Sequence, residues 1–174
     1  MDFAKYKALL SERTKLINDI SALPCGYISK KTISGKTYFY RQSRVNGKVL
    51  SEYIKDAELS KTSKEIEKRN HYQSCLKEVD AQIAAFKKQA AIAKDGSSRI
   101  LLAIEICADM DSMDLEQRMR SVSFAQAMNA IEGVSASNTL KENMEAWCKG
   151  EKPFSSVYAE TLAKYGLSIG GILA

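Results

Sequence analysis

Apolar residues near the start of the chain recur at intervals of three and four positions, from Phe3 to Ile20. This spacing places them on one face of an α-helix and predicts a helix over residues 3–21. Pro24 ends it, because a proline disfavours helical conformation in the residue before it. Residues 56–94 have an irregular apolar stripe and predict one long helix. We expect this stripe to pair with the first helix or with a second copy of the chain, giving a homo-oligomer.

Between these helices the pattern changes to a period of two, which is typical of strands. The alternation predicts a three-stranded antiparallel meander. Asn46-Gly47 separates the last two strands, and this dipeptide suits a type I′ turn because both of its residues must take positive φ. A second turn is predicted at residues 34–36. The predicted strands are residues 27–33, 37–45 and 49–54.

The sequence Asp-Gly-Ser-Ser at residues 95–98 interrupts the helical pattern and predicts a boundary between residues 1–95 and residues 96–174. Four shorter helices are predicted beyond it, over residues 99–109, 114–132, 137–148 and 154–165. The predicted fold class is therefore mainly α with a small antiparallel β-meander (α+β). A long helical hairpin carries the three-stranded sheet, and a small helical domain follows.

The predicted helix over residues 114–132 has recognisable ends. Asp114 with Gln117 three positions on is a variant of the capping box, and Gly133 is the glycine that commonly follows the last helical residue. These residues predict a helix with both termini capped.

Charge divides the chain at the same place. Residues 1–95 carry a formal net charge of +8 and residues 96–174 carry −3, against +5 for the whole chain. Such a difference suggests two modules with different partners. The chain has no run of about 18 apolar residues and no signal-peptide core, so we expect a cytoplasmic protein with no membrane partner.

The residues that catalysis and metal binding usually need are scarce. The four cysteines form no close pair, and His71 is the sole histidine. We expect free thiols and a solvated His71. A metal site needs close ligand pairs, so we expect no metal and no cofactor. With a single histidine and no phosphate-binding glycine motif, we also expect no enzymatic activity.

The helix over residues 114–132 becomes apolar nearly all round in its second half. At about 100° per residue, Phe124, Met128 and Ile131 share one side, and Glu132 ends the helix beside them. Two interpretations are open for the three apolar residues, namely packing within residues 99–165 or binding to a partner. Two are also open for Glu132: a solvated carboxylate, or an anion that pairs with a partner's cation.

An ordered set of residues runs through this segment: Arg118, Arg120, Phe124, Ala125, Ala127, Ile131, Glu132, Gly133, Ser135 or Ser137, Gly150 and Glu151. The set resembles the VbhA-like antitoxins of bacterial Fic toxins. Their pattern runs from basic residues through a Phe-Ala step, an alanine-rich turn and a hydrophobic-Glu-Gly step to a serine at the next helix start and a later Gly-Glu turn. The likeness covers under a third of the chain.

The resemblance implies that residues 96–174 form a helical antitoxin domain that inhibits a separate Fic-domain toxin. In such pairs the glutamate, here Glu132, pairs with the toxin arginine that holds the γ-phosphate of ATP, which blocks AMP transfer (AMPylation). Met128 stands where the family usually has a small hydroxyl residue, and Asn129 is the neighbour that we expect to replace it. The implied partner-binding residues are Glu132, Gly133, Ile131, Asn129, Met128, Phe124 and Ala125.

Basic residues cluster on the predicted sheet among aromatic ones, at Lys30, Lys31, Lys36, Arg41, Arg44 and Lys48. Basic and aromatic side chains on a small sheet are compatible with nucleic-acid binding, and operator DNA is the partner that this interpretation predicts. The other interpretation is a solvated edge with the rings packed on the helices. The meander is also similar to uncharacterised bacterial proteins with a helix–meander–helix layout, which implies no function.

The sequence therefore favours a Fic-inhibiting antitoxin. Two alternatives stay open at this point. One is a nucleic-acid-binding transcriptional regulator with a helical dimerisation arm, and the other is a coiled-coil adaptor.

Overall fold

The computed structural model describes residues 1–167. The chain runs through α1 (Phe3–Ser21), β1 (Tyr27–Ile33), β2 (Lys36–Val45), β3 (Lys48–Ile54), α2 (Asp56–Ala93), α3 (Ser97–Ser112), α4 (Leu115–Ile131), α5 (Asn138–Cys148) and α6 (Phe154–Lys164). This order confirms the predicted fold class, mainly α with a small antiparallel meander. Within the described range, no helix combines the length and the apolar character that crossing a membrane requires.

Contacts between residues divide the chain into two compact units. We call residues 11–82 the meander unit, and residues 1–10 together with residues 83–167 the helical unit. The predicted boundary after residue 95 lies inside the helical unit, because the end of α2 groups with the helices that follow it. The part of the predicted C-terminal domain from residue 168 onward lies outside the described residues.

Two tight turns join the strands of the meander unit in the order β1-β2-β3. Ser34 and Gly35 form the first turn, with φ of 48° and 76°, and Asn46 and Gly47 form the second, with φ of 50° and 79°. Positive φ at both central residues is the signature of a type I′ turn, which confirms the prediction for Asn46-Gly47. Each strand start differs from its predicted position by one residue at most.

Close approach of β1 to β2 requires glycine at position 26. Gly26 has a φ of 107°, and a Cβ placed on it would lie 2.1 Å from the carbonyl oxygen of Gln42. Any other residue would therefore displace the backbone of β2.

In the meander unit, α1 and α2 run antiparallel. Arg13 Nε donates to Asp80 Oδ1 over 2.8 Å, while the Arg69 guanidinium donates to the carbonyl oxygens of Ile20 and, over 2.8 Å, Leu23. Later residues of α1 therefore lie opposite earlier residues of α2. The buried apolar side chains of this unit are Leu16, Ile20, Ile54, Ile66 and Val79.

In the helical unit, α3 packs against α6, α6 against α5, and α5 against α4. Trp147 is fully buried, with its ring centroid 5.2 Å from that of Phe154. The other buried apolar residues of the unit are Tyr6, Leu9, Ile83, Ala90, Leu101, Ala103, Ile104, Cys107 and Val157. α3 starts two residues earlier and ends three residues later than predicted. The Ser97 N–H at its start donates to Asp95 Oδ1 over 2.9 Å.

Candidate partner-binding site on helix α4

Helix α4 starts at the predicted capping box. The Gln117 N–H donates to Asp114 Oδ1 over 2.8 Å, and the Asp114 N–H donates to Gln117 Oε1 over 3.0 Å. These two bonds satisfy donors that the first turn of a helix leaves free. None of the seventeen residues of α4 is buried, so the helix is not held by a buried apolar face.

A single arginine provides the main polar attachment of α4. The Arg118 guanidinium donates to the carbonyl oxygens of Met113 (2.9 Å), Trp147 (2.9 Å) and Asp111 (3.0 Å). It also lies 5.4 Å from the centroid of the Trp147 ring. These contacts join the α3–α4 turn to the end of α5.

The same turn supports helix α6. Pro153 precedes that helix and provides no side-chain cap. Asp111 Oδ1 instead accepts a hydrogen bond of 2.6 Å from the Phe154 N–H. The end of α3 therefore holds the start of α6 through this hydrogen bond.

The three apolar residues singled out on α4 are exposed. Phe124, Met128 and Ile131 have 69%, 41% and 79% of their surface accessible. Spacings of four and three residues place them on one face of the helix, and we call this set the apolar stripe. Internal packing, one of the two interpretations open from the sequence, is therefore wrong for these side chains. Ala125, next to the stripe, is exposed as well.

The apolar stripe ends at Ile131, next to the predicted glycine cap of α4. Gly133 has a φ of 70°, and its N–H donates to the Ala130 carbonyl over 3.2 Å. The N–H of Val134 donates to the Asn129 carbonyl over 2.8 Å. This pair of bonds is the Schellman motif, which closes α4 through backbone groups alone. Half-buried Asn129 thus contributes its carbonyl to the cap.

Glu132 is the last residue before this glycine. Its N–H donates to the Met128 carbonyl over 3.1 Å, and its side chain is exposed. Among the described residues, no ion pair or hydrogen bond engages the Glu132 carboxylate. The negative end of the α4 dipole disfavours an anion at this position. A cation from outside the chain would offset that cost.

A second part of the antitoxin-like pattern lies against Arg118. The N–H groups of Gly150 and Glu151 close α5 by donating to the carbonyls of Trp147 (3.0 Å) and Ala146 (2.9 Å). A Cβ on Gly150 would lie 3.8 Å from Arg118 Nη1. The sequence predicts a turn at these positions but not its contact with Arg118, because residues far apart along the chain leave no local signal of their contact.

The six basic residues predicted for nucleic-acid binding do not form one cluster. Strand register places Lys31, Lys36 and Arg44 on one face of the sheet and Lys30, Arg41 and Lys48 on the other. Arg41 pairs across the second face with Glu52. A shared site of all six residues is therefore excluded by the alternation of side chains along each strand.

The remaining reactive groups are dispersed. Cys25, Cys75, Cys107 and Cys148 are free thiols. Cys75 Sγ lies 3.7 Å from Nε2 of His71 one turn earlier on α2, and His71 is exposed as predicted. Over residues 1–167, no group of three or more metal-ligating side chains comes together.

Comparison with known families matches only the first part of the chain. Residues 6–68 match a family described as a domain of unknown function (DUF6788). The match covers most of α1, the meander and the first third of α2. The comparisons with curated proteins and with solved structures found no match. The likeness of the C-terminal helices to VbhA-like antitoxins therefore rests on the residues quoted above.

Proposed function

We propose that this protein is an antitoxin that binds a Fic-domain toxin and inhibits its AMP transfer through Glu132. The observation that carries the proposal is the apolar stripe of α4, which is exposed and leads to a carboxylate without a partner among the described residues. The proposal gives the chain a cytoplasmic location and no catalytic role. Self-association through α2 stays a separate prediction.

The stripe supports docking into a groove of the toxin. Phe124, Met128 and Ile131 follow the spacing i, i+4, i+7 by which amphipathic helices anchor in apolar grooves. Burying one large apolar side chain contributes about 1.5–3 kcal/mol. Three such residues would supply most of the affinity of a small interface, and the attachment of α4 through Arg118 leaves them available.

Glu132 would then act as the inhibitory group. With the stripe docked, water is excluded around its carboxylate, which strengthens its attraction to a guanidinium. Carboxylate and guanidinium form bidentate pairs. In the proposed complex this pair occupies the toxin arginine that otherwise holds the γ-phosphate of ATP. Phosphoryl groups out of position lose most of their reactivity, so AMP transfer stops.

The glycine cap of α4 supports this role because it fixes the backbone position from which the Glu132 side chain extends. Both hydrogen bonds of the Schellman motif use backbone atoms, so the Glu132 side chain is not needed to end the helix. Its carboxylate is therefore available for a partner, while its Cα is held in a defined position one residue beyond Ile131.

The test is co-expression with a Fic-domain protein encoded next to this chain. Wild-type protein should restore growth and suppress labelled-AMP transfer. Glu132→Gln keeps the shape of the side chain and removes its charge, so it should still co-purify with the toxin but fail to suppress transfer. Glu142→Gln is the matched control, because Glu142 is an exposed glutamate on α5. It should behave as wild type.

Two results would contradict the proposal. If Glu132→Gln protects as well as wild type, the carboxylate does not inhibit. If wild-type protein neither binds nor restrains the neighbouring Fic protein, the chain is not its antitoxin.

A further inference from the structure

We propose that the outer face of the meander binds single-stranded nucleic acid, with bases stacking on tyrosine rings and phosphates held by basic side chains. This inference goes beyond toxin inhibition and concerns the meander unit alone. We call the surface the tyrosine face, and it consists of Tyr27, Tyr38, Tyr40, Tyr53, Lys31, Lys36 and Arg44.

Strand register brings these side chains together. Residues directly opposite each other in an antiparallel pair share one face of the sheet. Lys31 lies opposite Tyr38, and Tyr40 lies opposite Tyr53. Alternation along the strands carries the same face to Tyr27, Lys36 and Arg44.

The tyrosine face is the open side of the sheet. Tyr27 and Tyr53 have 61% and 54% of their surface accessible. On the reverse face Ile54 is buried, and Phe39 lines a cavity with Leu59 of α2. The part of the reverse face around Phe39 and Ile54 therefore packs in the meander unit. On the tyrosine face Tyr27 and Tyr53 are exposed, and Tyr38 and Tyr40 are half-buried.

The rings are held in place before any ligand binds. The Tyr53 ring centroid lies 5.8 Å from that of Tyr40 and 6.2 Å from that of Tyr38. The Tyr27 hydroxyl donates to Gln42 Oε1 over 2.6 Å. Fixed rings lose little conformational entropy when a ligand stacks on them.

The charge of the face complements phosphate. Lys31, Lys36 and Arg44 are exposed, and the strand residues on this face include no acidic residue. Glu52, an acidic strand residue, lies on the reverse face. Lys31 Nζ lies 4.9 Å from the Tyr40 ring centroid, so positive charge and an aromatic ring share one site.

This combination selects unpaired bases. In a duplex the bases stack on one another and present only their edges, whereas an extended strand exposes base faces that can stack on aromatic side chains. An acidic peptide would satisfy the cations but would leave most of the ring surface unused. We therefore assign the face to a single strand, and RNA and DNA share the chemistry that it recognises.

The test is fluorescence anisotropy with the full chain and labelled oligomers of about 12 nucleotides. The probes are oligo(U), oligo(dT) and a DNA duplex of the same length. Both single strands should bind more tightly than the duplex, and comparing them shows whether RNA or DNA is preferred. Three cations predict a slope of about −2 for log affinity against log salt concentration.

Matched substitutions on the two faces separate this site from general electrostatic attraction. Lys31→Glu and Arg44→Glu should each weaken binding about tenfold. Lys30→Glu and Lys48→Glu make the same charge change on the reverse face and should have little effect. Tyr53→Ser should weaken binding roughly five- to hundredfold, and Tyr53→Phe should retain it. Melting curves confirm that each variant is folded.

The inference would be overturned if substitutions on the two faces caused equal losses of affinity. It would also be overturned if the duplex bound as tightly as the single strands. The absence of single-strand binding by wild-type protein at about 50 mM salt would have the same consequence. Glu132→Gln should bind the oligomers normally, so failure of this site and failure of the proposed toxin inhibition give different results.

Discussion

The guanidinium of Arg118 donates a hydrogen bond of 2.9 Å to the carbonyl oxygen of Trp147, and the two side chains stack 5.4 Å apart. Trp147 is fully buried and Arg118 is half-buried. This pair links the helix that carries the apolar stripe to the core of the helical unit. The arginine therefore stabilises the fold, although the antitoxin-like pattern marks it only as a basic residue.

Replacing Arg118 with methionine should destabilise the protein by about 2–4 kcal/mol, because three hydrogen bonds from a charged donor are lost at once. Urea unfolding followed by the fluorescence of Trp147 measures the loss. Arg120→Met is the control, since Arg120 is 77% exposed and pairs with Glu116 on the surface. It should change stability by no more than about 0.5 kcal/mol. Equal effects of the two substitutions would show that Arg118 is not an anchor.

Substitutions in the apolar stripe should separate binding from folding. Phe124→Ser and Ile131→Ser should change the free energy of unfolding by less than about 0.5 kcal/mol, because both side chains are exposed. Each should weaken binding to the toxin about tenfold or more. Val157→Ala, at a buried position, should cost about 2 kcal/mol of stability. A large loss of stability in the stripe variants would mean that these residues pack within the chain.

Gly26→Ala should destabilise the meander unit much more than Gly35→Ala. Both glycines have positive φ, but a Cβ at Gly26 would lie 2.1 Å from the Gln42 carbonyl oxygen, whereas one at Gly35 would meet no described atom within 4 Å. Gly35→Ala should cost only the strain of a left-handed alanine, about 1–2 kcal/mol. The midpoint of urea unfolding measured by circular dichroism tests the order. A larger loss for Gly35→Ala would contradict the close approach of β1 to β2.

Stability should fall at high pH partly because of Cys107. Burial raises the pKa of this thiol from 9.0 to about 11, and the nearby Asp111 carboxylate acts in the same direction. Between these values only the unfolded chain releases the proton, so this contribution is intact below pH 9 and is lost as pH rises toward about 11. Cys107→Ala should therefore lose less stability than wild type between about pH 8 and about pH 10.5.

Urea midpoints of both proteins at each pH test this prediction. Burial also raises the pKa of Tyr6, but that contribution is the same in both proteins and cancels in the comparison. Identical pH dependence of the two proteins would exclude a role for the Cys107 thiol.

Local patterns in the sequence predicted most of the secondary structure. Asn46-Gly47, Asp114 with Gln117, and Gly133 each determine the backbone of their own neighbours, so each turn or cap could be located correctly. Helix α3 was placed less accurately because residues 95–98 combine a turn with the start of a helix. The turn ends at Gly96, the N-cap residue, and Asp95 Oδ1 accepts from the Ser97 N–H across it.

Local sequence patterns could not predict which side chains are buried by residues distant along the chain. The apolar residues of α4 gave the same periodicity whether buried or exposed, so only the structure could show that Phe124 and Ile131 are exposed. The division of the basic residues between two sheet faces could have been found from the sequence. The type I′ turn at Asn46-Gly47 fixes the register of β2 and β3, and register assigns a face to every strand residue.

The backbone-only closure of α4 has an evolutionary consequence. Because the hydrogen bonds that close α4 join backbone atoms and the side chain at position 132 is exposed, a single codon change there would alter the charge presented to a partner without breaking the helix cap. Descendants of this protein could thus lose, regain or retune their effect on a target while keeping the same architecture. At the glycine that follows, by contrast, any other residue would carry the strain of a left-handed conformation.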